Sequence, residues 1–200
     1  MIRSFLILEA RSAMVMVPDV IIGRRLTFED YLALPDDQDY EIIDGALYGA
    51  PRARPRHQVI ANNLCFDLTN FVRNFAVGVV MPDADLIVTA SDTYVSPDIM
   101  YFTLQHYAAI DRDDFVRTTP DLVVEVVSPT REGYDRVTKR RTYERLGVRH
   151  YWVFDPQPGI VAEHVLQSDG VYSERIYGPG GEFRPSLFPD LLIQLEIIFS

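Results

Sequence analysis

Cysteine is almost absent: Cys65 stands alone in 200 residues, which excludes an internal disulfide and a thiolate zinc cage. It falls on the apolar stripe of a predicted helix, where a buried, inert thiol is the expected state. Long hydrophobic runs are missing too, and no stretch reaches the length needed to span a bilayer. The N-terminal MIRSFLILEARSAMVMVPDVIIGRR is mildly apolar, but Glu9 and Arg11 interrupt it and it lacks a signal-cleavage pattern. Residues 1–25 read as an irregular leader of a cytoplasmic protein with no membrane association, and Met14 and Met16 leave a later start open. Positive charge is scarce. Lys and Arg number 19 against 29 Asp and Glu, a formal net charge of −10, which argues against indiscriminate nucleic-acid binding. Repeats and low-complexity linkers are also absent, so residues 26–200 read as one α+β domain.

What is present is enough apolar material, 48% of residues, to fill a core, and an uneven distribution of charge. REGYDRVTKRRTYER, residues 131–145, carries six Lys or Arg against three acids. PRARPRH, residues 51–57, adds Arg52, Arg54, Arg56 and His57. Two basic segments in an acidic chain suggest a confined anion-binding surface; two solvated faces are the plainer alternative.

The periodicity gives the element order. LTFEDYLALP has a helix start at Thr27 with Asp30 three residues on, and Pro35 as a stop. DYEIIDGALYGAP reads as a hairpin turning at Asp44-Gly45. From Pro55, Val59, Ile60, Leu64, Leu68, Phe71 and Phe75 follow helical spacing. Strands are predicted at roughly 75–81, 84–89 and 95–102. LVVEVV is a central strand, 131–146 a helix closed by Gly147, and HYWVFDP a further strand. A hairpin around Ser168-Asp169-Gly170 and the apolar LFPDLLIQLEIIF complete the chain.

Three charged residues fall where structure alone does not ask for them. Asp98 follows a proline in VSPDIMYF, Glu125 lies inside PDLVVEVVSP, and Lys139 sits on the helix after that strand. Burying an unpaired carboxylate is costly, and two carboxylates together repel unless a cation lies between them. Oxygen ligation of this kind suits Mg²⁺, and a nearby lysine can orient water or balance phosphate charge.

In order along the chain, YEIIDGALY, RHQVI, VSPDIMYF, PDLVVEVVSPT, YDRVTKRRTYERLGVRHYWVFDP and LFPDLLIQL resemble the PD-(D/E)XK nuclease superfamily, and within it the Uma-type family of restriction endonucleases. The resemblance covers roughly residues 26–199 and implies a restriction-endonuclease-like core: a central mixed β-sheet flanked by helices, with an added C-terminal β-hairpin. It implies a Mg²⁺-dependent DNA endonuclease, with Mn²⁺ able to substitute. Asp98 and Glu125 would hold the metal, with the Val126 carbonyl as a third ligand. The superfamily lysine stands two residues after the glutamate; here that position is Val127, and Lys139 is the matching residue on the next helix. Glu125 would thus be compensated by a metal, with Lys139 nearby. Arg136, Arg140, Arg141, Arg52, Arg54 and Arg56 would meet DNA phosphates. A homodimer would supply two sites for two strands.

Each residue also has a plainer role. Asp98 could cap a turn, Glu125 could belong to a structural ion pair, and Lys139 could pair with Asp135 on a helix surface. Glu41, an acid in an apolar strand, and His57, at the start of the long helix, are secondary site candidates; a partly exposed strand residue and a capping histidine are the alternatives. Asp121, Asp83 and Asp85 read as strand-start and turn residues, and Tyr151 and Trp152 as packing. The competing functional reading is a catalytically inactive nuclease-like module that binds nucleic acid or a protein partner.

Overall fold

The computed structural model describes residues 6–10, 13–17, 24–34, 39–50, 54–128 and 134–200. They group into two compact units, Met1–Arg52 with Ile87–Ser96, and Ala53–Leu86 with Pro97–Ser200.

In the first unit β1 (Leu6–Ala10) and β2 (Ala13–Val17) pair antiparallel. Helix α1 (Phe28–Leu32) starts as predicted, with the Asp30 carboxylate accepting from the Thr27 N–H at 2.8 Å. Strands β3 (Asp39–Ile43) and β4 (Ala46–Ala50) form the expected hairpin. Asp44 and Gly45 both take positive φ, 54° and 76°, the primed-turn geometry that an Asp-Gly pair favours.

The second unit begins with α2 (Pro55–Phe75), whose proline sits in the first turn, where its missing N–H costs nothing. Ile60, Leu64, Leu68 and Val72 form its buried stripe. Val59 and Phe75, expected on that stripe, are 51% and 57% exposed. The buried ladder runs in steps of four, and those two residues fall off its edge.

After α2 comes β5 (Gly78–Pro82), then β6 (Leu86–Val88) and β7 (Thr93–Val95), which belong to a separate four-stranded sheet of order β4-β3-β7-β6, and then β8 (Ile99–Thr103). The single strand predicted over 95–102 is therefore two strands in different sheets. Pro97 donates no ladder hydrogen bond and restricts Ser96, so the chain changes sheet there. Short α3 (Leu104–Tyr107) leads to the wholly buried β9 (Leu122–Val126). A π-helical turn, Tyr134–Lys139, runs into α4 (Arg140–Arg145). The Val148 N–H bonds back to the Tyr143 carbonyl, and Gly147 takes φ 76°, the left-handed stop its sequence position predicts. Then follow β10 (His150–Asp155), the hairpin β11 (Ile160–Leu166) and β12 (Tyr172–Tyr177), short β13 (Glu182–Phe183) and β14 (Ile193–Gln194), and α5 (Leu195–Ile198).

The large sheet has the order β12-β11-β10-β9-β8-β5, parallel between β9 and β10 and antiparallel elsewhere. Alternation along β9 divides its side chains. Leu122, Val124 and Val126 join the core cluster with the α2 stripe, Trp152, Phe154 and Phe183. Val123 and Glu125 therefore face the other way, as does Tyr151, whose ring lies 5.0 Å from that of Tyr143 on α4. Tyr151 and Trp152 are packing residues, as read from the sequence. Cys65 is only partly buried.

Candidate active site

Glu125 lies mid-strand in the most buried strand of the sheet, at 3% exposure. Its Oε1 accepts from Lys139 Nζ at 2.8 Å and from the Tyr143 hydroxyl at 2.7 Å. Lys139 is itself only 4% exposed. Residues 139 and 143 are one helical turn apart, so a single face of the helix delivers both donors to one carboxylate oxygen. Lys139 thus lies beside the acid, as expected, and with Tyr143 it gives Glu125 compensation from the chain itself.

Asp98 stands immediately before β8. The β8–β9 ladder pairs Ile99 with Val124, and one further step sets Asp98 opposite Glu125. Residues opposite each other on antiparallel strands project to the same face at short range. Asp98 Oδ2 accepts the Val126 N–H at 2.7 Å, fixing the carboxylate at the end of β9. An extended residue presents its N–H and C=O to the same side, so the Val126 carbonyl also faces Asp98.

His57 reaches Asp98 from the first turn of α2, three residues before Ile60 on the helix's inner side. Its Nε2 lies 3.2 Å from Asp98 Oδ2. Burial acts most strongly on the imidazole and pulls its pKa down. The hydrogen bond and charge of Asp98, the charge of Glu125 and the Val126 carbonyl outweigh it, leaving the pKa above its ordinary value. Nδ1 is buried and makes no well-formed hydrogen bond among the described residues. The structure thus brings Asp98, Glu125, Lys139 and His57 together, and adds Tyr143. Tyr143 stands four residues after Lys139, and that spacing is the signal the sequence carries for it.

Other candidates have contacts of their own. Glu41 belongs to the first unit, buried, and its Oε1 accepts from the Ser96 N–H at 3.3 Å. Arg52 and the Arg136 side chain lie outside the described residues, while Arg54 and Arg141 are exposed. Arg56 is exposed as well, but its guanidinium donates to the Pro156 and Phe199 carbonyls at 3.2 and 3.3 Å. Arg140 pairs with Glu144 at 3.7 Å and lies over the Tyr172 ring. Asp121 is structural: its Oδ2 accepts from the Thr103 N–H and bonds His106 Nδ1, both at 2.8 Å. Asp83 occupies a left-handed turn whose N–H donates to the Asp98 carbonyl.

The donor set for a divalent ion consists of oxygens: the Asp98 and Glu125 carboxylates and the Val126 carbonyl. Both contacts made by Asp98 use Oδ2, so Oδ1 has no protein partner among the described residues. No group of three or more His, Cys, Asp or Glu side chains at ligating distance occurs among the described residues. Two carboxylates and a carbonyl are the hard oxygen donors that would suit a Mg²⁺-type site completed by water and substrate. A cavity of about 560 Å³ lies among Met81, Asp85, Tyr107, Arg112 and Phe115, and none of Asp98, Glu125 and Lys139 lines it. Among the described residues no helix is long and apolar enough to cross a membrane.

A mixed sheet flanked by helices, with a C-terminal hairpin, defines an α+β protein of the restriction-endonuclease-like class. Residues 28–196 match the family model Uma2, putative restriction endonuclease, and the protein belongs to that family. A crystal structure of a putative nuclease belonging to DUF820 from Anabaena variabilis superposes with a TM-score of 0.72 at 18% identity, covering 88% of this chain and 98% of that one. An uncharacterized protein of Synechocystis sp. is 30% identical over 125 residues, 60% of this chain. The matched region spans 62% of that relative's length.

Proposed function

We propose that this protein is a Mg²⁺-dependent DNA endonuclease, acting in the cytoplasm as a homodimer that presents two sites to a duplex. The observation that carries this reading is the meeting of Asp98, Glu125 and Lys139 at the end of two adjacent strands. Asp98 and Glu125 would hold the ion with the Val126 carbonyl, and Mn²⁺ would substitute. When bound, the metal supplies a Lewis acid for the scissile phosphate and lowers the pKa of a bound water. Lys139 would leave part of its bond with Glu125 to orient the attacking water and balance charge on the phosphate. The Val126 N–H holds the Asp98 carboxylate in place, and His57 shields it from one side. Exposed Arg141 and Arg54 would contact backbone phosphates, joined by Arg136 and Arg52, and by Arg140 and Arg56 once released from Glu144 and from the Pro156 and Phe199 carbonyls.

One observation favours a second reading, a nuclease-like module that binds nucleic acid or a protein without cutting. Glu125 accepts from a buried lysine and a tyrosine hydroxyl, so the chain itself compensates the acid. Cleavage of supercoiled plasmid and of single-stranded oligonucleotides in Mg²⁺ or Mn²⁺ separates the two. Cutting by wild type that is lost in Asp98→Asn, with an unchanged melt, supports the enzyme. DNA binding without cutting under every condition supports the module.

A further inference from the structure

Glu125 Oε1 accepts two hydrogen bonds from one face of one helix, and the two donors differ in kind. Lys139 is a charged group on a flexible four-carbon stem. Tyr143 is neutral, fully buried, and its ring is held 5.0 Å from that of Tyr151 at an interplanar angle of 54°. A lysine can swing away from its partner; a packed ring cannot follow.

We propose that Tyr143 is the positioning residue of this site: its hydroxyl keeps Glu125 oriented toward the metal while Lys139 is drawn toward the substrate. This rests on the reading that Asp98 and Glu125 hold a divalent ion. A buried carboxylate that loses a hydrogen-bond donor is less well satisfied, and will rotate or take up a proton more readily. Two donors on Oε1 avoid this. The lysine is free to serve the reaction because the hydroxyl stays behind. Groups that hold a metal ligand in this way commonly contribute ten- to a hundredfold to metal affinity.

Calorimetric titration of the full chain with Mn²⁺ tests this, using wild type, Glu125→Gln, Tyr143→Phe and Lys139→Met. Tyr143→Phe keeps the ring and its packing and removes only the hydroxyl. We expect wild type to bind Mn²⁺ and Glu125→Gln to lose that binding. Tyr143→Phe should bind about tenfold more weakly. The Mn²⁺ concentration for half-maximal cleavage should rise by the same factor, with metal-free DNA affinity unchanged. Lys139→Met should still bind Mn²⁺ because Tyr143 continues to hold Glu125; this arm decides the matter if the phenylalanine variant does not fold. Wild-type Mn²⁺ affinity in Tyr143→Phe alongside loss in Glu125→Gln overturns the role of Tyr143 and leaves the metal site standing. So does loss of binding in Lys139→Met as complete as in Glu125→Gln. Full Mn²⁺ binding by Glu125→Gln, or no binding by wild type, overturns the metal reading and this inference with it.

Discussion

Lys139 Nζ and Glu125 Oε1 stand 2.8 Å apart with both side chains withdrawn from solvent. The pair joins a central strand to the helix that follows it, and each charge depends on the other. Removing one partner of a buried pair is far more damaging than the net worth of the pair, because the remaining charge stays buried without compensation.

Glu125→Gln is therefore expected to lower stability even without metal, by about 3 kcal/mol, the lower end for a broken buried pair because glutamine still accepts a hydrogen bond. Lys139→Met in the same chain should recover much of the loss, since no charge is then stranded. Urea denaturation at neutral pH in chelator measures both. Equal stability of Glu125→Gln and wild type would mean the pair contributes nothing, and additive losses in the double variant would mean the residues are not coupled.

The arginines divide by what already holds them. Arg141→Ala should reduce the log–log salt dependence of DNA binding by about one unit without moving the melt, because the residue is exposed and in the proposed function would meet a backbone phosphate. Arg56→Ala should do the reverse, leaving the slope alone and lowering the melting temperature through loss of its bonds to the Pro156 and Phe199 carbonyls. Binding isotherms across a salt series, paired with thermal melts, check both.

Acid should destabilise the fold partly through His164. Burial lowers its pKa below the ordinary value; Glu174 and Glu144 oppose this and Arg140 adds to it. As pH falls below about 6.5 the unfolded chain takes up a proton that the folded chain resists, so stability falls toward acid. One proton gives a slope of at most about 1.4 kcal/mol per pH unit. His164→Phe retains a ring against Tyr151, with which His164 stacks, and should flatten that part of the profile. Identical pH dependence of the two denaturation midpoints between pH 7.5 and 5.5 would assign the acid sensitivity to other groups.

Gly78 is needed for close approach rather than for unusual backbone torsion. A Cβ there would lie 2.2 Å from the Phe102 carbonyl oxygen and 2.4 Å from Tyr101 Cε2. Gly78→Ala must displace β5 from β8 and should cost at least about 1–3 kcal/mol, the range for overpacking. Gly178, where a Cβ meets nothing within 4 Å, provides the control substitution. Comparable melts for the two variants would show that β5 yields easily.

The local elements were legible in the sequence because each rests on short-range physics. The Asp44-Gly45 turn, the Thr27–Asp30 helix start, the proline-led α2 and the Gly147 stop are all written in adjacent residues, and all form. Glu125 stood out for the same reason: an acid among valines is anomalous wherever the strand lies. Tertiary structure decided what neighbours in space alone can decide. The division of residues 93–103 between two sheets depends on which strands are available on each side of Pro97, and the four-residue burial ladder on α2 depends on the sheet beneath it. It decided that Arg56 would meet two carbonyls, and that His57 would reach Asp98 across the end of a sheet. It also made Tyr143 part of the site. Nothing in a tyrosine's own sequence context says that its hydroxyl points at a carboxylate; only the packing of α4 against β9 and β10 sets the 2.7 Å contact that balances Glu125.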